Sequence, residues 1–385
     1  MKKVKKFLSY LLVAVLSSVL TLTFYAPETG SEYSKLTELE NLLVTVFIGE
    51  TDRTAMEDAA ADAMVASLGD RWSHYIPADE YGLYMEQMNN AYVGIGITIQ
   101  LLEDNGGILV LKVNEGGPAD EAGMEAGDII IAIEGQDARV MDVDEARNLV
   151  RGEKNTKVNL TVLRGSEELE MSIIRQEVRT PVATAQMLEG NIGLITIVNF
   201  DSRCAEETIA AIDTLLEQGA TKLIFDVRNN PGGYANELVK VLDYILPKGD
   251  LFRTVDYRGV EDVDKSDARC IEGVPMAVLV NGDSYSAAEF FAAALSEYDY
   301  AIVVGEPTVG KGYFQYTYEL SDGSAVGVSV GKYFTPQGKS LAEEGGLVPD
   351  VLVSVDYDTA MAIYAGTLDP ALDPQIQAAI DALNN

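Results

Sequence analysis

Residues 275–295 read PMAVLVNGDSYSAAEFFAAAL. The first six, Pro275 to Val280, are an apolar run of strand length. Asn281-Gly-Asp-Ser284 then breaks the run with turn residues. From Ser286 to Leu295 alanines and large apolar residues continue past the single charge of Glu289, as a buried helix requires. A strand that passes through a short loop into a helix is the repeating unit of an α/β layer, and the unit recurs on both sides. Ile192–Ile197 precedes a helix from Ala205 to Gln218. Lys222–Asp226 precedes a loop and a helix from Ala235 to Leu246, and Ala301–Val304 is a further strand. Strands Tyr313–Leu320 and Ala325–Phe334 follow, and an acidic tail ends in a helix, Ile376–Leu383. From about Thr180, then, the pattern predicts an α/β domain whose sheet is covered by helices.

Upstream the periodicity changes. Val93–Ile99, Gly107–Lys112 and Asp128–Ile133 are β-rich runs bounded by glycines. A helix, Val143–Val150, and two strands joined at Gly165-Ser166 complete a compact domain. Residues 31 to about 90 carry apolar residues at helical spacing, among them Leu36, Leu39, Leu42, Leu43 and Val46. At the start, Lys2, Lys3, Lys5 and Lys6 precede an uncharged apolar run from Phe7 to about Tyr25. That is close to the ~20 residues that span a bilayer, and the basic flank predicts a cytoplasmic N-terminus. An uncleaved anchor with the rest of the chain outside the cytoplasm is the expectation. The alternative is a cleaved signal and a secreted protein, but the residues before Ala26 make a poor cleavage site.

Composition excludes several classes of function. Lys and Arg total 28 against 61 Asp and Glu, a formal charge of -33 over 385 residues. Such a surface repels phosphate backbones, so nucleic acid is not an expected partner. Two cysteines, Cys204 and Cys270, and one histidine, His74, leave no metal-ligand cluster, and neither metal nor cofactor is expected. His74 is far in sequence from every other candidate, which weakens His-based mechanisms. Whether the two cysteines pair is open, as is a homo-oligomer.

Chemistry in an α/β layer gathers where strands end and helices begin. Three such places stand out: Asn281–Ser286, Asn229-Asn-Pro-Gly-Gly233 and Gly310-Lys-Gly-Tyr-Phe-Gln315. Taken alone, Ser286 reads as the cap of its helix, with Glu289 completing a capping box. The same helix end, however, offers free N–H groups and a positive dipole to an oxyanion forming beside a nucleophilic serine. Gly232 and Gly233 let backbone N–H groups approach a ligand closely. A serine nucleophile needs a base. Lys311, flanked by glycines with no acid next to it, serves if burial lowers its pKa from about 10.4 towards neutrality. If residues 311–315 are extended, Gln315 shares a face with Lys311 and orients its amine without adding charge.

Together these segments resemble the C-terminal processing peptidases, also called tail-specific proteases, from about residue 35 to 355. Asn281-Gly-Asp-Ser-Tyr-Ser-Ala-Ala-Glu289 is similar to the family's nucleophile segment. Val304-Gly-Glu-Pro-Thr-Val-Gly-Lys-Gly-Tyr-Phe-Gln315 is similar to its lysine segment, and Ser286 and Lys311 stand 25 residues apart as in the family. Asp226-Val-Arg-Asn-Asn-Pro-Gly-Gly233 and Tyr333-Phe-Thr-Pro-Gln-Gly338 match its glycine loop and the segment after the site. The resemblance implies a ClpP/crotonase-like α/β peptidase domain at 179–357. It implies Ser286 as nucleophile, Lys311 as general base and Gln315 as the residue that positions the lysine. Backbone N–H groups near Gly232, Gly233 and Ala287 would form the oxyanion hole. Tyr285, Ala288 and residues 339–346 depart from the family pattern at positions that bear on substrate preference.

The middle region, 91–178, resembles PDZ domains of bacterial proteases. Tyr92-Val-Gly-Ile-Gly-Ile97 is similar to the loop that captures a peptide carboxylate, which would place Val93, Gly94, Ile95, Gly96 and Ile97 at a peptide site. The remaining expected segments are the anchor or signal, 1–27, a helical region, 28–90, and a C-terminal helical tail, 358–385. The function implied is an endopeptidase that acts on unfolded or C-terminally exposed proteins outside the cytoplasm. Two alternatives are an idle relative acting as a PDZ adaptor, against which the presence of both Ser286 and Lys311 speaks, and acyl-thioester chemistry of the crotonase kind.

Overall fold

All five residues of Met276–Val280 are buried, because this strand lies inside a parallel sheet with a helical layer on each face. In chain order the six strands are β1 (Ala183–Leu188), β2 (Ile192–Ile197), β3 (Lys222–Asp226), β4 (Met276–Val280), β5 (Ala301–Gly305) and β6 (Val351–Leu352). They lie side by side in that same order. β1 is antiparallel to β2, and the other pairs are parallel. Crossovers of one hand between successive parallel neighbours put their helices on one face. Helices α1 (Cys204–Glu217), α2 (Ala235–Ile245) and α3 (Ala287–Glu297) share one core with Ile195, Ile197, Leu223, Phe225, Val278 and Val280. The alternate residues Leu194, Ile224, Ala277 and Leu279 face the other way, as the two-residue period of a strand demands. They are covered by α4 (Pro374–Asn384) through Ile376, Ala379 and Leu383. The C-terminal helix is therefore one wall of the sheet, not an appended tail.

The structure, a computed structural model, describes residues 34–102, 106–267 and 270–384. The apolar run before Tyr25 lies outside them; among the described residues no helix is long and apolar enough to cross a membrane. The chain divides into two units, up to Tyr75 and from Ile76. The first contains helices Ser34–Val46 and Arg53–Ala66, with Leu36, Leu39, Leu42 and Leu43 exposed. The helix Ala78–Met88, expected to continue this region, belongs to the second unit.

Within the second unit a small sheet joins Ile97–Leu101, Ile108–Val113, Ile129–Ile133, Lys157–Arg164 and Glu167–Ile174 in that order, around its own core of Ile108, Ile130, Leu160 and Ile173. The strand expected over Val93–Ile99 is two. Ala91–Gly94 pairs with Gln176–Arg179 as an antiparallel ribbon, and the chain bends at Ile95-Gly96 before Ile97–Leu101 forms the sheet edge. Another antiparallel sheet joins Tyr313–Glu319, Ala325–Phe334, Asp250–Asp256 and Glu261–Lys265. Its polar hairpin 250–265 escaped the sequence reading because its second strand, EDVDK, has no apolar face.

Candidate active site

β3, β4 and β5 are neighbours, so the loops that leave their C-terminal ends converge. Side-chain amides tie the first two loops together. Asn229 N–H donates to Asn281 Oδ1 at 2.9 Å, and Asn281 Nδ2 donates back to Asn229 Oδ1 at 2.8 Å. Ser284 Oγ, fully buried, donates to the Val227 carbonyl at 2.7 Å, and Tyr285 N–H donates to the Asn230 carbonyl at 3.1 Å.

This stitching delivers Ser286 to the N-terminus of α3 with φ 58° and ψ −124°. An L-residue adopts such a backbone at a cost of about 1–3 kcal/mol, and it persists only where its surroundings enforce it. The enforcing group is Glu289. Its carboxylate is completely buried and holds four donors. Oε2 accepts the Ser286 and Lys311 backbone N–H groups, each at 3.0 Å. Oε1 accepts Gly310 N–H at 2.6 Å and the Thr308 hydroxyl at 2.5 Å. One carboxylate oxygen therefore fixes the main chain of both Ser286 and Lys311. In sequence Glu289 is half of a capping box; its bonds to residues 308–311 depend on tertiary structure.

Tyr333 also has a place in the site that its sequence position does not announce. Its hydroxyl donates to the Lys311 carbonyl and is also hydrogen-bonded to the Ser286 side chain. Its ring packs on Phe252 and Phe290. Burial pushes the phenol pKa well above its ordinary value, the charge of Glu289 adds to the effect, and the bond with Ser286 opposes it. Tyr333 is consequently a neutral hydroxyl at any working pH. Lys311 Nζ lies 5.9 Å from the centre of the Tyr285 ring.

Gln315 is placed differently from the expectation of a shared extended face. The strand begins only at Tyr313, and its register shifts between Phe314 and Gln315. Gln315 Nε2 donates to the Tyr313 carbonyl at 3.1 Å and to Ser329 Oγ at 3.0 Å.

The glycine loop lies directly against the serine. A Cβ on Gly232 (φ +91°) would stand 2.6 Å from Ser286 Cβ and 2.8 Å from Ala287 N, and one on Gly233 would stand 2.3 Å from the Phe200 carbonyl oxygen. No side chain fits at either position. Gly232 N–H itself donates to Asn230 Oδ1 at 2.8 Å.

In the small domain, Ala119 N–H donates to the Ile95 carbonyl and Asn114 N–H to the Gly96 carbonyl, both at 2.9 Å. Across a trans peptide the following N–H points the opposite way, so the Gly96 and Ile97 N–H groups are turned away from those partners. Val93 and Gly94 belong to the paired ribbon. His74 is exposed, with Nδ1 3.1 Å from the Trp72 carbonyl oxygen. Both cysteines are free thiols. Burial pushes the Cys204 thiol up to about 12, which removes it as a nucleophile at neutral pH. Among the described residues no group of three or more His, Cys, Asp or Glu is arranged to hold a metal ion.

Residues 191–353 match peptidase family S41, and residues 109–164 match a PDZ domain. The chain is 33% identical over 356 residues to the carboxy-terminal processing protease CtpA of Bacillus subtilis, covering 89% of this chain and 76% of that protein. It is 33% identical over 330 residues to the carboxyl-terminal-processing protease of Synechocystis, covering 84% and 76%. A solved photosystem II D1 C-terminal processing protease aligns at 29% identity with a TM-score of 0.48, over 83% of this chain and 86% of that one. With an α/β sheet that gathers three loops at its strand ends, a separate PDZ domain and relatives at this identity over most of its length, the chain belongs to the carboxyl-terminal processing proteases of peptidase family S41 and is a serine peptidase.

Proposed function

We propose that this peptidase cleaves peptide bonds of proteins recognised through their C-terminal ends, with Ser286 as nucleophile and Lys311 as general base. The observation that carries the reading is the single oxygen of Glu289 that accepts the backbone N–H groups of both residues. Ser286 Oγ attacks the scissile carbonyl and its proton passes to Lys311 Nζ, which is neutral beforehand. The oxyanion forms beside the N-terminus of α3, where Ala287 N–H and the glycine loop receive it. The Gly232 N–H joins them only by leaving Asn230. Lys311 gives the proton to the departing amine; the neutral Lys311 amine then deprotonates a water that attacks the acyl-enzyme, and the proton returns to Ser286 Oγ as the ester bond breaks. The Glu289 carboxylate is bonded to four donors, none of them the Lys311 amine, but its charge still favours a protonated lysine, and desolvation of the amine must outweigh it. Gln315 is proposed to hold the amine through its remaining carbonyl oxygen.

Substrate selection is assigned to the PDZ domain. Ile97–Leu101 is an edge strand, open to an added peptide strand, and the outward N–H groups of Gly96 and Ile97 suit a terminal carboxylate. The lysines and apolar run before Tyr25 support placement of the catalytic part outside the cytoplasm, anchored by the N-terminal segment. The test is incubation with an unfolded protein, comparing wild type with Ser286→Ala by mass spectrometry. Defined internal cleavages are expected from wild type alone; the same fragments from folded Ser286→Ala refute the assignment.

A further inference from the structure

The C-terminal helix reaches the glycine loop through one buried arginine. Arg228 opens that loop directly after β3. Its Nε and Nη2 fork onto Asp226 at 2.9 and 2.6 Å, and its backbone N–H donates to the same carboxylate at 3.0 Å. Nη1 turns to the C-terminal segment, meeting Asp373 Oδ2 at 2.8 Å and Gln375 Oε1 at 2.9 Å. Asp373 and Gln375 are themselves 2% and 1% exposed. Asp373 uses its other oxygen to cap α4, accepting Gln375 N–H at 2.9 Å and Ile376 N–H at 3.2 Å. Gln375 Nε2 donates to the Val353 carbonyl at 2.7 Å, just beyond β6.

A guanidinium presents its donors in one rigid plane, so a partner on each side fixes it in position and direction. Burying two carboxylates with one guanidinium is costly unless the geometry is satisfied on both sides. A helix cap alone does not need this arrangement, since serine, threonine or asparagine caps as well. Beyond Arg228 the connection to the serine is short. Asn229 pairs with Asn281, the Asn230 carbonyl accepts Tyr285 N–H, and Gly232 stands against Ser286.

We infer that Asp373 is a positioning residue for hydrolysis: through Arg228 it lets the C-terminal helix set the place of the glycine loop against Ser286. This rests on the proposed role of that loop in receiving the oxyanion. The role predicts a loss in kcat with little change in KM, because the PDZ domain and its edge strand are untouched.

The experiment uses the full chain in detergent and one unfolded protein substrate. Asp373→Ser keeps a cap but is too short to reach Arg228. Asp373→Asn keeps the shape and loses the charge. Leu383→Ala weakens the packing of the same helix at its far end. Asp373→Ser is expected to lose roughly ten- to a hundredfold in kcat, the scale of a small misplacement at a reacting centre, and Asp373→Asn to fall between it and wild type. Leu383→Ala is expected to lower Tm yet retain kcat below its own unfolding transition. Wild-type kcat in folded Asp373→Ser overturns the inference. So does an equal kcat loss in Leu383→Ala, which would reduce the effect to stability. If Asp373→Ser does not fold, Asp373→Asn decides by the same criterion. Ser286→Ala is run alongside: continued cleavage there refutes the Ser286 assignment, whereas an inert Ser286→Ala with unaffected Asp373 variants refutes only the clamp.

Discussion

Glu289 stands three residues after Ser286, and every property that makes it a helix cap in the sequence also makes it available for bonds the sequence does not reveal. Its four donors come from residues 286, 308, 310 and 311, so its importance depends on two loops meeting. Glu289→Gln retains one acceptor oxygen and turns an NH2 group towards donors. It is expected to lose about 2–3 kcal/mol of stability, the scale for buried charge-assisted hydrogen bonds, with activity falling as well; urea unfolding and initial rates measure both. Gly232→Ala is expected to lower Tm and, in the folded fraction, to lose about 10²-fold or more in kcat, since its methyl group collides with Ser286 Cβ and Ala287 N. A wild-type rate in that variant would mean that the glycine loop does not approach the reacting atoms. The loops that carry Ser286, Lys311 and the two glycines were legible in sequence because each follows a strand and is rich in turn residues. Tyr333 was not, because a tyrosine in a strand gives no sign that its hydroxyl reaches another loop.

Elements were legible where their periodicity was strong. β2 to β5 and the helices between them follow directly from apolar runs, and even the turn Gly165-Ser166 falls between the strands Lys157–Arg164 and Glu167–Ile174. The failures have physical causes. The ribbon Ala91–Gly94 and the edge strand Ile97–Leu101 read as one strand because nothing local marks a change of partner. α4 read as a tail because its acidic surroundings hide a stripe of Ile376, Ala379 and Leu383 that only the sheet explains. One element has a pH signature. Arg164 binds both oxygens of Asp128 at 2.7 and 2.8 Å, and this bond holds the carboxyl below its ordinary pKa, with the Glu125 N–H assisting and burial opposing. A depressed carboxylate stabilises the fold fully above its unfolded pKa of about 3.9 and loses that contribution as pH falls through the lower folded value. The PDZ domain of Asp128→Asn should therefore be less stable than wild type at pH 7, with the difference shrinking in acid. Thermal melts from pH 7 to 2 measure it, and a constant difference would contradict the linkage.

At the scale of the whole molecule, one chain is proposed to join selection in the PDZ domain to hydrolysis at the end of the parallel sheet. A peptide with a free apolar C-terminus is expected to bind more tightly than its amide, because the Gly96 and Ile97 N–H groups are proposed to receive the carboxylate's charge; equal Kd values by titration would remove carboxylate capture. The net charge of -33 suits work on unfolded proteins without adhesion to nucleic acid. The proposal that unites these parts is that Lys311, neutral before reaction, takes the proton of Ser286. Single-turnover cleavage of one unfolded substrate by folded Lys311→Arg tests it most directly, since a guanidinium remains protonated at any usable pH. The expected rate is about 10²–10⁴-fold below wild type, while wild type itself speeds up with rising pH along a single limb. A folded Lys311→Arg that cleaves at a rate near wild type would contradict lysine as the base.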